Sequence, residues 1–127
     1  MYIPLKFISK TDSIRICGEI TNLGGRLTEN RLLIISPRDQ EVTMGKIILP
    51  GKEESIPNKG VIVSVGEITD EYKTYRELML IGKVVTYGRY AGKEIEFDPN
   101  LVHKEKDHKF TILSLNEVLF TENNPNK

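Results

Sequence analysis

The chain has 127 residues, with 18 basic side chains against 18 acidic ones and a formal net charge of zero. That length fits one domain that buries about two-thirds of its unfolded surface, and a zero balance supplies no field to draw nucleic acid or an anionic membrane. A single cysteine, Cys17, excludes an internal disulfide and fits a reducing compartment. No stretch approaches the ~20 apolar residues of a membrane span, and the opening "MYIPLKFISKTDS" lacks a signal peptide's apolar run, so a cytoplasmic protein is expected.

The first patterned segment is "SIRICGEI" (13–20), which sets Ile14, Ile16, Gly18 and Ile20 against Arg15, Cys17 and Glu19. Alternation of this kind predicts a strand, closed by "NLGGR" (22–26) and docked by its three isoleucines; a disordered leader is the other reading. "RLLIIS" (31–36) is a short, nearly continuous apolar run. "GVIVSVGEI" (60–68), "KVVTY" (83–87), "KEIEF" (93–97) and "KFTILSL" (109–115) alternate and are rich in the β-branched residues that suit a pleated sheet. Turn signals separate them at "SPRDQ", "PNKG", "YGRYAG" and "DPN". Many short strands with such punctuation predict an all-β fold, a small barrel or sandwich. "TDEYKTYRELML" (69–80) stands apart, because Tyr72, Tyr75, Arg76 and Met79 follow helical spacing. A helical turn and a hairpin are both open there, and the hairpin is the preferred reading. The tail "TENNPNK" (121–127) reads as polar and loose.

Groups for catalysis are scarce. His103 and His108 lie in the charged run "LVHKEKDHKF", and one cysteine leaves no zinc spacing. No serine sits in a G-x-S-x-G context. "GRYAGKE" (88–94) brushes against a phosphate-binding loop, but Glu94 stands where a Ser or Thr must hold magnesium and the glycine spacing is one residue short. A turn between strands explains it better. Tyr72, Tyr75, Tyr87 and Tyr90 would suit an oligonucleotide-binding barrel, against which the zero net charge weighs. No catalytic residue, metal or cofactor is expected, and the chain is not read as an enzyme.

One segment calls for a partner. In "TMGKIILPGKEES" (43–55), Ile47, Ile48 and Leu49 are flanked by Gly45 and Lys46, then by Pro50, Gly51, Lys52, Glu53 and Glu54. The polar stretch around them, from Ser36 to Gly60, is long for a connection inside a small domain, and such loops tend to be functional or disordered. An aliphatic triplet there either folds back into a core or is kept for another protein's groove.

From about Thr28 to Thr121 the order of features resembles the GroES co-chaperonin family. "ENRLLIISP" looks like that family's first barrel strand, and "TMGKIILPGKE" like its mobile loop with a hydrophobic tripeptide. "NKGVIVSVG" looks like the next strand, "LIGKVVTYGRYAGKEIEF" like a further strand and a tyrosine-bearing loop, and "HKFTILSLNEVLF" like the closing strand. The resemblance implies a GroES-like β-barrel over 26–121, with a mobile loop at about 37–59 and a roof hairpin at about 67–80. Residues 1–25 form an N-terminal extension with no counterpart, and 122–127 a polar tail. Such an extension would suit a bacteriophage-encoded member working in its host's cytoplasm.

By the same resemblance the protein is a heptameric ring that caps a GroEL-type chaperonin and encloses client proteins. Ile47, Ile48 and Leu49 would bind the chaperonin, with Gly45, Pro50 and Gly51 as the loop's hinge. Leu27, Leu115, Phe120 and Tyr90 would serve the subunit interface or rim. The competing readings are a monomeric oligonucleotide- or ligand-binding barrel with 47–49 in its core, and a structural capping or adaptor protein on the same fold.

Overall fold

A computed structural model describes residues 7–37, 58–88, 90–95 and 108–126. The first element is not the expected strand but a helix, α1, at Lys10–Asn22. Ile16 and Ile20 are four residues apart, a spacing compatible with either period. Ile14 decides between them, because a helix turns it about 200° away from Ile16 while a strand keeps the two together. It is 55% exposed, against 0% for Ile16 and 6% for Ile20. Local chemistry favours the helix at both ends. The Ser9 hydroxyl accepts the Asp12 N–H at 3.1 Å as an N-cap. At the other end Gly24, at φ 79°, donates to Thr21 O, and Gly25 donates to Ile20 O, a Schellman closure.

Gly18 lies on the exposed side of α1, where an added Cβ would meet nothing within 4 Å. A mid-helix glycine costs backbone entropy without return in packing. Gly18→Ala is therefore expected to stabilise the protein by about 0.5–1 kcal/mol, read as a higher denaturant midpoint at unchanged slope. A lower midpoint would contradict the helical assignment.

The remaining elements build one six-stranded antiparallel sheet in the order β4-β5-β1-β2-β3-β6. Its strands are β1 (Arg31–Pro37), β2 (Asn58–Val65), β3 (Val84–Tyr87), β4 (Lys93–Ile95), β5 (His108–Ser114) and β6 (Val118–Glu122). The all-β reading of the strand pattern holds. Both faces of the sheet are apolar. Leu32, Ile34, Ile62, Val85, Tyr87 and Leu113 belong to one cluster with Met79 and Leu115. Leu33, Ile35, Val61, Val63, Val84 and Phe110 belong to the other, under Ile8, Ile16 and Ile20 of the N-terminal segment. A strand covered on both faces has no polar side to show, which is why "RLLIIS" reads as a continuous run rather than an alternation.

Two further expectations are corrected. Residues Asp70–Arg76 form a 3-10 helix, kinked at Tyr72, in place of a roof hairpin. Tyr72 and Tyr75 fall on one side at about three residues per turn, with ring centroids 5.8 Å apart, and both pack on the cluster that holds Met79. Arg76 closes the turn, donating to Ile68 O at 2.7 Å and to Asp70 Oδ1 at 3.0 Å. The tail is not loose over its described part. Asn124 Nδ2 donates to Ile8 O at 2.9 Å, Asn126 Nδ2 donates to Phe7 O at 2.8 Å, and Lys10 N–H donates to Asn126 O at 3.4 Å. The end of the chain clasps the entry to α1.

Candidate functional site

The segment 38–57 leaves the sheet at the end of β1 and returns at the start of β2. Those strands are antiparallel neighbours, with Ile35 opposite Val61, so the two ends of the segment stand side by side. Ile47, Ile48, Leu49 and the hinge residues Gly45, Pro50 and Gly51 all lie outside the described residues. What the structure gives is the two strand ends that this segment joins. Ser36 and Asn58 are 0% and 5% exposed there. The Tyr87 hydroxyl, on β3, donates to Ser36 Oγ at 3.2 Å inside the protein. Burying two hydroxyls without a mutual bond would be costly, so this pair holds the ends of three strands together.

Beside these strand ends lies a shallow hollow of about 160 Å³ bordered by Asn58, Tyr87, Tyr90 and Thr111. Tyr90 is 71% exposed. Its turn is held from below. The Ala91 N–H donates to Gly88 O, and the Gly92 N–H donates to Glu117 Oε2 at 3.0 Å while Glu117 Oε1 accepts from Ser114 N–H at 2.8 Å. Gly92, at φ 76°, approaches β5 so closely that a Cβ would sit 2.6 Å from Ile112 O. Only glycine fits. The "GRYAGKE" stretch therefore turns into strand β4, where a phosphate-binding loop would lead directly into a helix.

The other candidate surface is β6. It pairs with β3 on one side, and Leu119 and Phe120 are 67% and 59% exposed. Lys59 Nζ reaches across to Glu122 Oε1 at 3.0 Å, a half-exposed pair that contributes little after solvent screening. Two adjacent exposed apolar residues on a sheet edge are a template for pairing with another chain. Of the predicted interface residues, Phe120 and Tyr90 are open to a neighbour, and Leu27 is partly buried against the cluster under α1. Leu115, at 1% exposure, fills its own chain's core. Sequence reasoning misses Leu119. Its signal is the unbroken Val118-Leu119-Phe120 run, where a one-sided strand should alternate.

Among the described residues no group of His, Cys, Asp or Glu is placed to hold a metal, and no helix is long and apolar enough to cross a membrane.

Comparison with known proteins places these features in a family. The family profile described as "Chaperonin 10 Kd subunit" matches residues 26–121, which begins after α1 and ends before the clasping asparagines. The Co-chaperonin GroES of Thermotoga petrophila is 35% identical over 89 residues, 70% of this chain and 85% of that protein. That of Bacteroides thetaiotaomicron is 38% identical over 90 residues, covering 71% and 88%. That of Parabacteroides distasonis is 42% identical over 69 residues, covering 54% and 74%. A match over residues 26–121, from before β1 into β6, makes this chain a member of the chaperonin 10 kDa subunit family, the non-enzymatic co-chaperonins.

Proposed function

We propose that this co-chaperonin works as a heptameric ring that caps a GroEL-type chaperonin and encloses client proteins, each subunit extending Ile47, Ile48 and Leu49 to the partner. The observation that carries the reading is the family match over residues 26–121, which spans the glycine-flanked aliphatic triplet in the connection between the neighbouring strands β1 and β2. Burying each aliphatic side chain yields roughly 1.5–3 kcal/mol. Ordering the loop at roughly 1–2 kcal/mol per residue offsets most of that gain. One loop is a weak ligand, and several on one ring bind tightly because each raises the effective concentration of the next. Small changes in each contact then release the whole lid. The hinge residues serve that motion, Gly45 and Gly51 by their backbone freedom and Pro50 by restricting the backbone just after the triplet.

The subunit contact in this reading is the open edge of β6 with Leu119 and Phe120, joined by Leu27, and Tyr90 stands at the rim. The ATPase is the partner's, and the cytoplasm is the place of work, the host's if the gene is a bacteriophage's. Native mass spectrometry of the purified chain, alone and mixed with a bacterial GroEL-type chaperonin and ADP, tests the reading. A heptamer that joins the chaperonin is the expected result. A monomer that ignores it would overturn the proposal in favour of a ligand-binding barrel.

A further inference from the structure

The turn before β3 lies against the entry to α1. Gly82, at φ 96°, has no Cβ, and one placed there would stand 2.6 Å from Lys10 Cγ and 3.2 Å from Lys10 Cβ. The stem of Lys10 is thus packed on the Gly82 backbone, one residue from Lys83. With Ile14 of α1, Leu80, Ile81 and Asn123 just after β6, the two lysines border a second hollow, of about 500 Å³. Ligand pockets run to roughly 300–1,000 Å³. The apolar wall of this one includes Ile14 at 55% and Leu80 at 50% exposure. No Asp or Glu lines it among the described residues, and neither Lys10 nor Lys83 has an ion-pair partner there. The chain as a whole carries no net charge, so this one-signed hollow is a local feature. Charges of one sign beside apolar walls focus a field that gathers the opposite charge.

We infer that this hollow binds an acidic peptide segment of another protein, with carboxylates on Lys10 and Lys83 and a large apolar side chain covering Ile14 and Leu80. A bare inorganic anion would leave the apolar wall in water. A peptide answers each group, because its backbone amide also offers the Asn123 carboxamide both a donor and an acceptor. The clasp leaves that carboxamide available, since it engages Asn124 and Asn126. Lys10, Ile14 and Asn123 lie outside the residues 26–121 that match the family, so the site is built largely from this chain's additions. The inference needs neither the ring nor the capping of a chaperonin, and it stands or falls apart from them.

Fluorescence anisotropy with the full chain tests it, using a dye-labelled peptide that carries Asp-Leu-Phe-Asp and a neutral control that carries Asn-Leu-Phe-Asn. The acidic peptide is expected to bind saturably and more weakly as salt is raised, with the control about tenfold weaker. Lys10→Gln and Lys83→Gln should each weaken binding about twofold to fivefold, and the double variant about tenfold. Leu80→Asp should abolish it. Lys10 and Leu80 are exposed, so melting temperatures are expected to stay near the parent's, and should Leu80→Asp unfold, the lysine variants carry the test. Absence of saturable binding, equal binding of the two peptides, or parental affinity in the double lysine variant would overturn the inference. Capture on anionic phospholipid vesicles without binding of the peptide would also overturn it, since the hollow would then serve a membrane.

Discussion

Ile47→Asp with Ile48→Asp is expected to abolish capping of the chaperonin while leaving ring assembly and melting temperature close to those of the unaltered chain. A carboxylate forced into an apolar groove costs several kcal/mol, and the penalty recurs at every subunit. Folding should be spared, because among the described residues the two clusters on the sheet's faces already draw on α1, the strands and the turns around Met79 and Leu115. Native mass spectrometry and melting curves report assembly, and co-sedimentation with ADP-bound chaperonin reports capping. Loss of the folded ring would place the triplet in a core and remove the basis of the proposed function.

Deleting residues 1–25 is expected to do the reverse: the loop remains able to reach the chaperonin, but the ring loses much of its stability. The helix does not decorate the sheet. It covers Leu33, Ile35, Val61, Val63 and Val84, each at 0% or 1% exposure in its presence. Without it that face meets water, and binding of a fluorescent apolar dye should rise as the melting temperature falls. Single substitutions separate this from a general truncation effect. Ile16→Ala, at 0% exposure, should cost about 2–5 kcal/mol and lower the melting temperature by roughly 10–20 °C. Ile14→Ala, at 55% exposure, should stay within about 0.5 kcal/mol of the parent. Equal losses at the two positions would restore the strand reading, which the structure replaces.

That pair also shows what the sequence could carry. The strands from β2 to β5 are legible because alternation is a local signal, and β1 is legible as a strand. Why β1 shows no polar side is not, since the answer lies in a helix on its far face. The N-terminal segment misleads because residues four apart satisfy both periods, and only the exposure of Ile14 separates them. Residues 69–80 mislead for a related reason. Their apolar spacing matches a helical turn, but the surrounding strands favour a hairpin. The triplet at 47–49 is conspicuous through composition alone. Tyr87 and Ser36 are not, because positions 36 and 87 become neighbours only after three strands have taken their register.

The clasp between Asn124, Asn126 and the backbone at Phe7 and Ile8 bears on the order in which the protein is made. The α1 segment is made before the strands it packs on, and the partners of Ile16 and Ile20 run as far as Phe110. A helix of 13 residues is marginal in water by itself. Until most of the chain has been synthesised, α1 has an incomplete surface to dock on, and its apolar stripe stays exposed to the crowded cell. Contacts of such sequence separation are slow to close. The asparagines that fasten the helix entry follow their partners by 116 and 119 residues. The α1 segment is therefore secured only after the strands beneath it and the asparagines that fasten it have been made.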